Sequence, residues 1–284
     1  GKLFAAREQR IRPGRDDKIL TSWNGLMIRG MAIAGRLLDR GDWIESAGRA
    51  VDFIRDTLWQ DGRLLATCKD GRAHLNAYLD DHVHLIDGLL ELLQARWRAA
   101  DLEFAIELAE LVLEHFQDSS GGFFFTSDDH EQLIQRPKPN HDDATPSGNG
   151  IAARVLARLG HLLGDARYTE AAEKTLKGLW TSIENTPYGH TSLLVALEES
   201  FSPGQTIILR GATPAMQQWR EAMDRGYAPR RLLFSIPADA GKLPGMLAER
   251  QPQDDVVAYI CEGLSCRAPV TDKAEFNNLV KTAK

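Results

Sequence analysis

The sequence predicts a mainly α-helical protein built from repeated helical hairpins, followed by a small α/β part. The first observation is an Asp-Asp pair followed by a glycine, which recurs three times with 63 and 62 residues between the glycines Gly25, Gly88 and Gly150. The second is that each glycine precedes an apolar pattern of helical period. The third is a change beyond residue 200 to short β-branched and leucine-rich runs. A fixed period of this length is typical of helical-hairpin arrays.

Each repeat predicts two helices. The first is strongly apolar, as in "LMIRGMAIAGRLLD", and ends at a turn with an aspartate; a second, amphipathic pattern follows. Aspartate directly before such a pattern is a helix N-cap signal. These predicted caps are Asp42, Asp101 and Asp165. A single hairpin cannot bury both helices, so we expect neighbouring hairpins to stack with the first, more apolar helices inside.

Two segments between the hairpins predict short β-ribbons. They are "GRLLATCKDGRAHLNAYL" and "GGFFFTSDDHEQLIQRPKP", in which Phe123–Phe125 suit a buried strand and the residues after them suit a turn. Each ribbon returns the chain to the next inner helix. The Asp-Asp pairs are therefore expected at one end of the bundle.

The organisation beyond residue 200 predicts a second part. The runs "QTIILRG", "RRLLFSI" and "VVAYICEG" alternate with helical patterns, which indicates a small parallel or mixed sheet. A seventh helix, in "GHTSLLVALEESF", joins the two parts. We predict a helical-hairpin part over 1–200 and a small α/β part over 201–284.

Composition excludes two classes of function. A net charge of −6 and a pI near 5.8 argue against a nucleic-acid partner. No apolar run approaches the roughly 20 residues of a membrane span, so no membrane partner is expected. Three cysteines do not make a disulfide framework, which favours a cytoplasmic setting.

Five ordered motifs carry a family resemblance. The chain resembles the carboxy-terminal part of the thioredoxin-domain-containing family that includes spermatogenesis-associated protein 20 and bacterial relatives. The motifs are "RIRPGRDDKILTSWNGLMI", "AYLDDHVHLIDGLLEL", "GGFFFTSDDHEQLIQR", "DDATPSGNG" and "AYICEGLSCRAPVTD". The resemblance implies an (α/α)6 toroid of the six-hairpin glycosidase type, incomplete in this chain, and an amino-terminal thioredoxin-like domain as its partner. Related toroids hydrolyse glycosidic bonds or epimerise sugars.

The Asp-Asp pairs have two interpretations. They cap helices, where a carboxylate bonds backbone N–H groups and suits the positive end of the helix dipole. Alternatively, they form an acidic cleft that binds a carbohydrate and divides acid and base roles between two carboxylates. In the second case the first candidates are Asp80 or Asp81 paired with Asp142 or Asp143.

Basic residues precede the first and third pairs. They are Arg12, Arg15, Arg136 and Lys138. They either neutralise the aspartates by ion pairing or hold an anionic ligand such as a sugar acid or phosphate, with Lys138 as a substrate-binding candidate.

Histidine near these motifs suggests a general base. His82 is the catalytic candidate, and its spacing of two from His84 does not suit a shared metal on a helix. His190, at the start of the seventh helix, is an equal candidate at the position of a fourth repeat. Core packing and surface positions are the competing roles for each histidine.

Four further residues are candidates for substrate binding. Trp23 packs in the core or stacks on a sugar ring, and Asn24 is placed to bond a hydroxyl. Ser147 and Asn149 hold the matching positions in the third repeat. Ser147 lacks the G-x-S-x-G context of a serine nucleophile.

Cys261 and Cys266 flank a probable turn and suit either structural thiols or a cross-strand pair able to oxidise. With Cys68 as the third cysteine, a four-thiolate zinc site is impossible, and the sequence predicts no metal and no cofactor.

The leading prediction is carbohydrate-directed hydrolysis or epimerisation. The alternatives are a non-catalytic binding scaffold and a redox accessory of the thioredoxin-like domain.

Overall fold

Helical hairpins occupy the first two hundred residues of the computed structural model, which describes residues 1–131, 134–224 and 228–281. The inner helices are α2 (Thr21–Leu37), α4 (Leu79–Ala95), α6 (Gly148–Leu163) and α9 (Thr191–Phe201). The outer helices are α3 (Gly41–Phe53), α5 (Ala99–His115) and α7 (Ala166–Gly178). A short helix α1 (Lys2–Glu8) precedes them, and α8 (Trp180–Asn185) links α7 to α9.

The inner helices lie side by side in chain order. Helix α2 packs on α4, α4 on α6 and α6 on α9, while α3, α5 and α7 each pack on the inner helix that precedes them. Helix α4 is buried over almost its whole length, and the outer helices are buried on one face. This is the arrangement of an (α/α) toroid, incomplete in this chain, and it confirms the predicted fold class.

The repeated glycines allow the inner helices to approach closely. A Cβ on Gly25 would lie 2.6 Å from the backbone of His84 in α4, and one on Gly88 would lie 2.8 Å from the carbonyl oxygen of Gly25. A Cβ on Gly150 would lie 2.0 Å from Ser192 Oγ in α9. The glycines therefore recur at the positions where neighbouring inner helices come closest to each other.

The predicted caps of the outer helices are partly confirmed. Asp165 is the N-cap of α7, and its side chain accepts a hydrogen bond from the Arg167 backbone N–H at 3.0 Å. The N-cap predictions for Asp42 and Asp101 are wrong, since both lie in the first turn of their helices. Asp101 is fully buried and instead pairs with arginines from two hairpins, namely Arg55, Arg96 and Arg98.

The first predicted ribbon is confirmed as an antiparallel sheet. Its strands are β1 (Ile19–Leu20), β2 (Trp59–Gln60), β3 (Arg63–Lys69) and β4 (Arg72–Asn76), with β3 pairing all the others. The β3–β4 turn is Asp70-Gly71, and both residues have positive φ. A π-helical turn, Ile54–Leu58, leads into β2.

The second predicted ribbon is wrong within the part of it that the structure describes; Gln132 and Leu133 lie outside that part. Only an isolated bridge between Gln117 and Phe123 forms there. The side chain of Asn149 bonds both the N–H and the carbonyl of Phe123, at 2.7 and 3.0 Å. A helix side chain thus takes the place of a strand partner at Phe123, while the N–H groups of Phe124 and Phe125 bond the carbonyls of Phe116 and Pro137.

A mixed four-stranded sheet forms the carboxyl-terminal part. Its strands are β5 (Gln205–Gly211), β6 (Leu232–Pro237), β7 (Val256–Glu262) and β8 (Ser265–Cys266), in the order β6-β5-β7-β8. Strands β5 and β6 are parallel, and the β5–β7 and β7–β8 pairs are antiparallel. Helices α10 (Thr213–Asp224) and α11 (Lys273–Lys281) cover one face, and the other face joins the core of the helical hairpins through residues such as Ile208 and Phe234.

Among the helices described, none combines the length and apolar character that crossing a membrane requires.

Candidate active site at the amino ends of the inner helices

The carboxylate of Asp81 joins the amino ends of two neighbouring inner helices. Its Oδ1 accepts the backbone N–H of Ser22 in α2 at 2.8 Å, and its Oδ2 accepts that of Tyr78, the N-cap of α4, at 2.9 Å. These are N–H groups that a helix cannot satisfy internally. Burial raises the pKa of Asp81 to about 6, although the two hydrogen bonds act in the opposite direction.

Asp142 makes the same kind of connection between α6 and α9. Its Oδ1 accepts the backbone N–H of Ser147, the N-cap of α6, at 2.8 Å, and its Oδ2 accepts that of Ser192 at 2.7 Å. The hydroxyls of Ser192 and Thr191 also donate to this carboxylate. Burial opposes ionisation, but the hydrogen bonds from Ser192 and Thr191 outweigh it and lower the pKa of Asp142. We call Asp81 and Asp142 the bridging caps.

Asp80 differs from the bridging caps because the described residues offer it no partner. The residue is partly buried, and its buried Oδ1 accepts no hydrogen bond from them. This oxygen lies against α6, 2.2 Å from where a Cβ on Gly148 would stand. Burial raises the pKa of Asp80 to about 6. An isolated carboxyl of this kind, between two capped helix pairs, is a candidate for proton transfer.

The remaining members of the pairs are exposed. Asp143 lies in the loop before α6. Asp16 and Asp17 lie before β1 rather than on α2, where they pair with Lys18 and Arg15. The Asp-Asp repeat is therefore not equivalent in the three units: only Asp80-Asp81 falls inside an inner helix.

A series of ion pairs, which we call the ladder, links the inner helices further along α4 from Asp80, towards the carboxyl end of that helix. Asp87 of α4 pairs with Arg29 of α2 at 2.9 Å and with Arg154 of α6 at 2.5 Å. One turn further along α4, Glu91 contacts Arg36 at 3.7 Å and Arg158 at 3.5 Å.

Arg158 also pairs with Glu199 of α9 at 2.7 Å. These ion pairs were not predicted from the sequence, although the spacing of Asp80, His84, Asp87 and Glu91 places all four on one face of a helix.

The candidate histidines His82 and His190 are buried, and so is His84. His82 packs on Phe116 and its Nδ1 contacts the carbonyl of Tyr78 at 2.9 Å, while His190 contacts the carbonyl of Thr186 at 2.8 Å. His84 has no hydrogen-bond partner for either ring nitrogen among the described residues. Burial lowers the pKa of His82 and of His84 to about 4, so both are neutral at pH 7. His82 lies in the core rather than beside Asp80.

Most predicted substrate-binding residues make internal hydrogen bonds. Asn24 donates to the carbonyl of Leu20 at 2.8 Å, and Ser147 caps α6. Asn149 also donates to the carbonyl of Pro139 at 2.8 Å, in addition to its bonds with Phe123. Trp23, by contrast, is 63% exposed. It follows Ser22, whose backbone N–H bonds Asp81, in the first turn of α2.

The basic residues do not neutralise the second and third pairs. Lys138 pairs with Asp118 at 2.5 Å, and Arg136 donates to the carbonyls of Thr126 and His115. Arg12 pairs with Glu8. We predicted ion pairs between these four basic residues and the Asp-Asp pairs. Among the described contacts, Arg15 does pair with Asp17 in this way.

Two further clusters lie away from this region. Cys261 and Cys266 form a disulfide across β7 and β8, with Cys261 buried and Cys266 exposed. His115, Asp128 and Asp129 have ligand atoms within 4.8 Å of one another. Two contacts at 2.7 Å explain why these three side chains lie together: His115 contacts Asp128, and Arg63 forms an ion pair with Asp129.

Comparison with solved structures supports the fold. The chain is similar to a GH76 alpha-mannanase of Bacteroides thetaiotaomicron, with a TM-score of 0.53 and 13% identity over 66% of this chain and 53% of that one. A cellobiose 2-epimerase of Spirochaeta thermophila gives a TM-score of 0.47 and 18% identity over 58% and 44%. No protein-family model matches. The chain shares the helical toroid fold with the mannanase.

Comparison with curated proteins identifies the relatives. Spermatogenesis-associated protein 20 of Homo sapiens is 29% identical over 298 residues, and that of Rattus norvegicus is 28% identical over the same length. Each match covers 98% of this chain and 38% of the relative. The chain is therefore similar in sequence to spermatogenesis-associated protein 20 over nearly its whole length, in line with the resemblance of its motifs, and it spans well under half the length of these relatives.

Proposed function

We propose that this toroid acts on carbohydrates, by glycoside hydrolysis or sugar epimerisation, and that Asp80 transfers the proton. The observation that carries the proposal is the contrast within the Asp-Asp pairs. Asp81 and Asp142 are used as bridging caps, whereas Asp80 keeps a partly buried carboxyl without a partner in the described structure. A carboxyl with a perturbed pKa and no ion-pair partner is a candidate for a catalytic acid or base.

The raised pKa suits either reaction. With a pKa of about 6, Asp80 is mostly ionised at pH 7 but retains a protonated fraction. An ionised carboxylate removes a proton beside a sugar carbonyl, and a protonated one donates to a leaving oxygen. Hydrolysis further needs a second carboxylate, roughly 5–5.5 Å away for retention or 6.5–9.5 Å for inversion. Exposed Asp143, which follows a bridging cap, is the candidate.

Trp23 supports the choice of carbohydrates. A tryptophan that is 63% exposed beside a helix amino end is an apolar platform of the kind that stacks on a sugar ring. The alpha-mannanase that shares the fold makes carbohydrates the first substrates to test. The thioredoxin-like partner domain and the cytoplasmic location stay predictions from the sequence.

The test is proton NMR in D2O with the full-length protein and a panel of sugars, sugar acids and glycosides. Loss of a C2 proton signal indicates epimerisation, and new anomeric signals indicate hydrolysis. Asp80→Asn should abolish either change. The matched control is Asp17→Asn, which alters an exposed member of the same repeat and should keep the activity.

Activity that survives Asp80→Asn would refute the role of Asp80. Absence of activity across the whole panel would favour the alternative of a binding scaffold. The bridging caps support that alternative, because they show that two of the aspartates have a structural role. A redox accessory role is the third candidate, favoured by the Cys261–Cys266 disulfide. It predicts a change in the thiol content of the protein upon incubation with a dithiol, without change in any sugar.

A further inference from the structure

A disulfide closes the β8 edge of the carboxyl-terminal sheet. Cys261 of β7 lies opposite Cys266 of β8, and their sulfurs are bonded. The two cysteines differ in access, since Cys261 is 4% exposed whereas Cys266 is exposed on the edge strand. Which sulfur a thiolate attacks depends on access, so this burial favours attack from solvent at Cys266 over attack at Cys261.

The guanidinium of Arg250 contacts the sulfur of the exposed cysteine. Its Nη2 donates to Cys266 Sγ at 3.2 Å, and the same guanidinium lies 5.3 Å from the ring centroid of Tyr259. Within the described ranges, no carboxylate pairs with Arg250. Glu262 and Arg267, the other charged residues beside this pair along the chain, are exposed and screened by solvent. A disulfide sulfur is a weak acceptor, so the charge of Arg250 is available for a thiolate at Cys266.

Hydrogen bonds to the sheet hold Arg250 in this place. Arg250 follows a 3-10 turn, Gly245–Glu249, and its carbonyl accepts Nη1 of Arg210 from β5 at 2.9 Å. The carbonyl of the next residue, Gln251, accepts the hydroxyl of Tyr259 from β7 at 2.7 Å. Two strands of the sheet that carries the disulfide therefore fix the backbone from which the guanidinium extends.

Closing a strand pair does not require a cation at the sulfur. A guanidinium beside a cysteine is a feature of reactive thiols, because it favours the thiolate. The thiolate is the form that attacks and leaves in thiol–disulfide exchange. In a reducing compartment, which the cysteine count favours, disulfides are usually transient and serve catalysis or redox sensing.

We propose that the Cys261–Cys266 disulfide exchanges with a dithiol that enters at Cys266, and that Arg250 stabilises the thiolate of Cys266. In the first step, one thiolate of the dithiol attacks Cys266 Sγ and forms a mixed disulfide. Cys261 leaves as a thiolate and takes a proton from solvent.

In the second step, the other thiolate of the dithiol attacks the sulfur that is bonded to Cys266. The dithiol is thereby oxidised by two electrons to its own disulfide, and Cys266 leaves as a thiolate beside Arg250. The exchange is independent of the sugar chemistry proposed for Asp80, which lies in the helical part.

Reduction of the folded full-length protein by dithiothreitol tests the exchange. Free thiols are blocked with iodoacetamide at successive times, and peptide mass spectrometry follows Cys261 and Cys266 separately from every other cysteine. We expect both to become reduced at pH 7 while circular dichroism shows that the protein stays folded. A limited amount of the monothiol glutathione, quenched with acid, should leave its adduct on Cys266 and not on Cys261.

Substitutions test the role of Arg250. The measured quantity is the pH at which alkylation of reduced Cys266 reaches half its maximal rate. In Arg250→Gln we expect this midpoint to rise by about one pH unit, and Arg250→Lys, which keeps the charge, should restore most of the difference. The matched control is Arg267→Gln, because Arg267 adjoins Cys266 but bonds β7 through its backbone N–H. Its midpoint should equal that of the parent.

Three results would overturn the proposal. The first is a disulfide that stays intact in the folded protein with excess dithiothreitol. The second is a glutathione adduct on Cys261. The third is a midpoint that Arg250→Gln leaves unchanged, that Arg267→Gln displaces equally, or that Arg250→Lys does not restore.

Discussion

Replacing Gly25 by alanine tests whether the repeated glycine sets the approach of the inner helices. An alanine Cβ at Gly25 would lie 2.6, 2.7 and 2.8 Å from backbone atoms of His84 and Leu85. Ordinary van der Waals contact begins at 3.4 Å, so α2 and α4 must separate by roughly 0.8 Å at the closest point. The obstacle is backbone rather than a flexible side chain, so it cannot move aside alone.

The magnitude follows from two opposed terms. Glycine to alanine inside a helix stabilises by about 0.5–1 kcal/mol. Overpacking costs about 1–3 kcal/mol, so the net change lies at about 0–2.5 kcal/mol. Because the obstacle is backbone, we expect Gly25→Ala to destabilise the protein by about 1–2 kcal/mol, in the upper part of that range. Gly30 lies in the same helix with no atom within 4 Å of its added Cβ. Gly30→Ala should therefore stabilise by about 0.5–1 kcal/mol.

Urea denaturation followed by circular dichroism measures both variants against the parent chain. We expect midpoints displaced in opposite directions, with an equivalent thermal difference of about 2–4 °C per kcal/mol for a chain of this size class. If Gly25→Ala is as stable as Gly30→Ala, the close approach of α2 and α4 does not depend on the glycine, and our explanation of the repeat is wrong.

Three further predictions concern the aspartates and the second ribbon. The folded-state pKa of Asp80 is raised, so its ionisation disfavours the folded state as the pH rises from 3.8 to about 6. Asp80→Asn should therefore stabilise the chain by about 1–3 kcal/mol at pH 7 and not below pH 3.8, as urea titrations at both pH values will show. The folded-state pKa of Asp142 is lowered, so its stabilisation is complete above its unfolded pKa and is lost as the pH falls through the lower, folded one. Asp142→Asn should thus cost about 1–3 kcal/mol at pH 7, with the difference vanishing in acid; a pH-independent difference would contradict the charge-based account. Asn149→Ala should cost about 1–3 kcal/mol, because the buried N–H of Phe123 loses its acceptor, and faster hydrogen exchange at that amide by NMR would confirm the cause.

Local pattern was sufficient to predict the hairpins and their order. The apolar period and the 62- or 63-residue spacing lie in the sequence itself, and the turn at Asp70-Gly71 has local backbone requirements. The second ribbon failed at Phe123 because that residue bonds the side chain of Asn149, 26 residues away, instead of a strand. A contact of that range leaves no signal in the ribbon's own residues.

The site was predictable only as a set of candidates. The Asp-Asp pairs drew attention to the amino ends of the inner helices, but which carboxylate stays unpaired depends on distant partners. Asp142 bonds Ser192, 50 residues further along, and Asp81 bonds Ser22, 59 residues earlier. Asp80 has no such contact within the part of the chain that the structure describes, and nothing in the sequence distinguishes it from its neighbour.

The bridging caps also determine how the array unfolds. Since each of the two carboxylates satisfies N–H groups on its own side and on a neighbouring helix, a hairpin that melts leaves donors exposed on the unit beside it. Adjacent units therefore gain or lose order together, in the manner of a one-dimensional chain of coupled elements. Between α4 and α6, where Asp80 stands without a hydrogen-bond partner among the described residues, that coupling rests on packing and the deeper ion pairs. This junction is where we expect the array to part first.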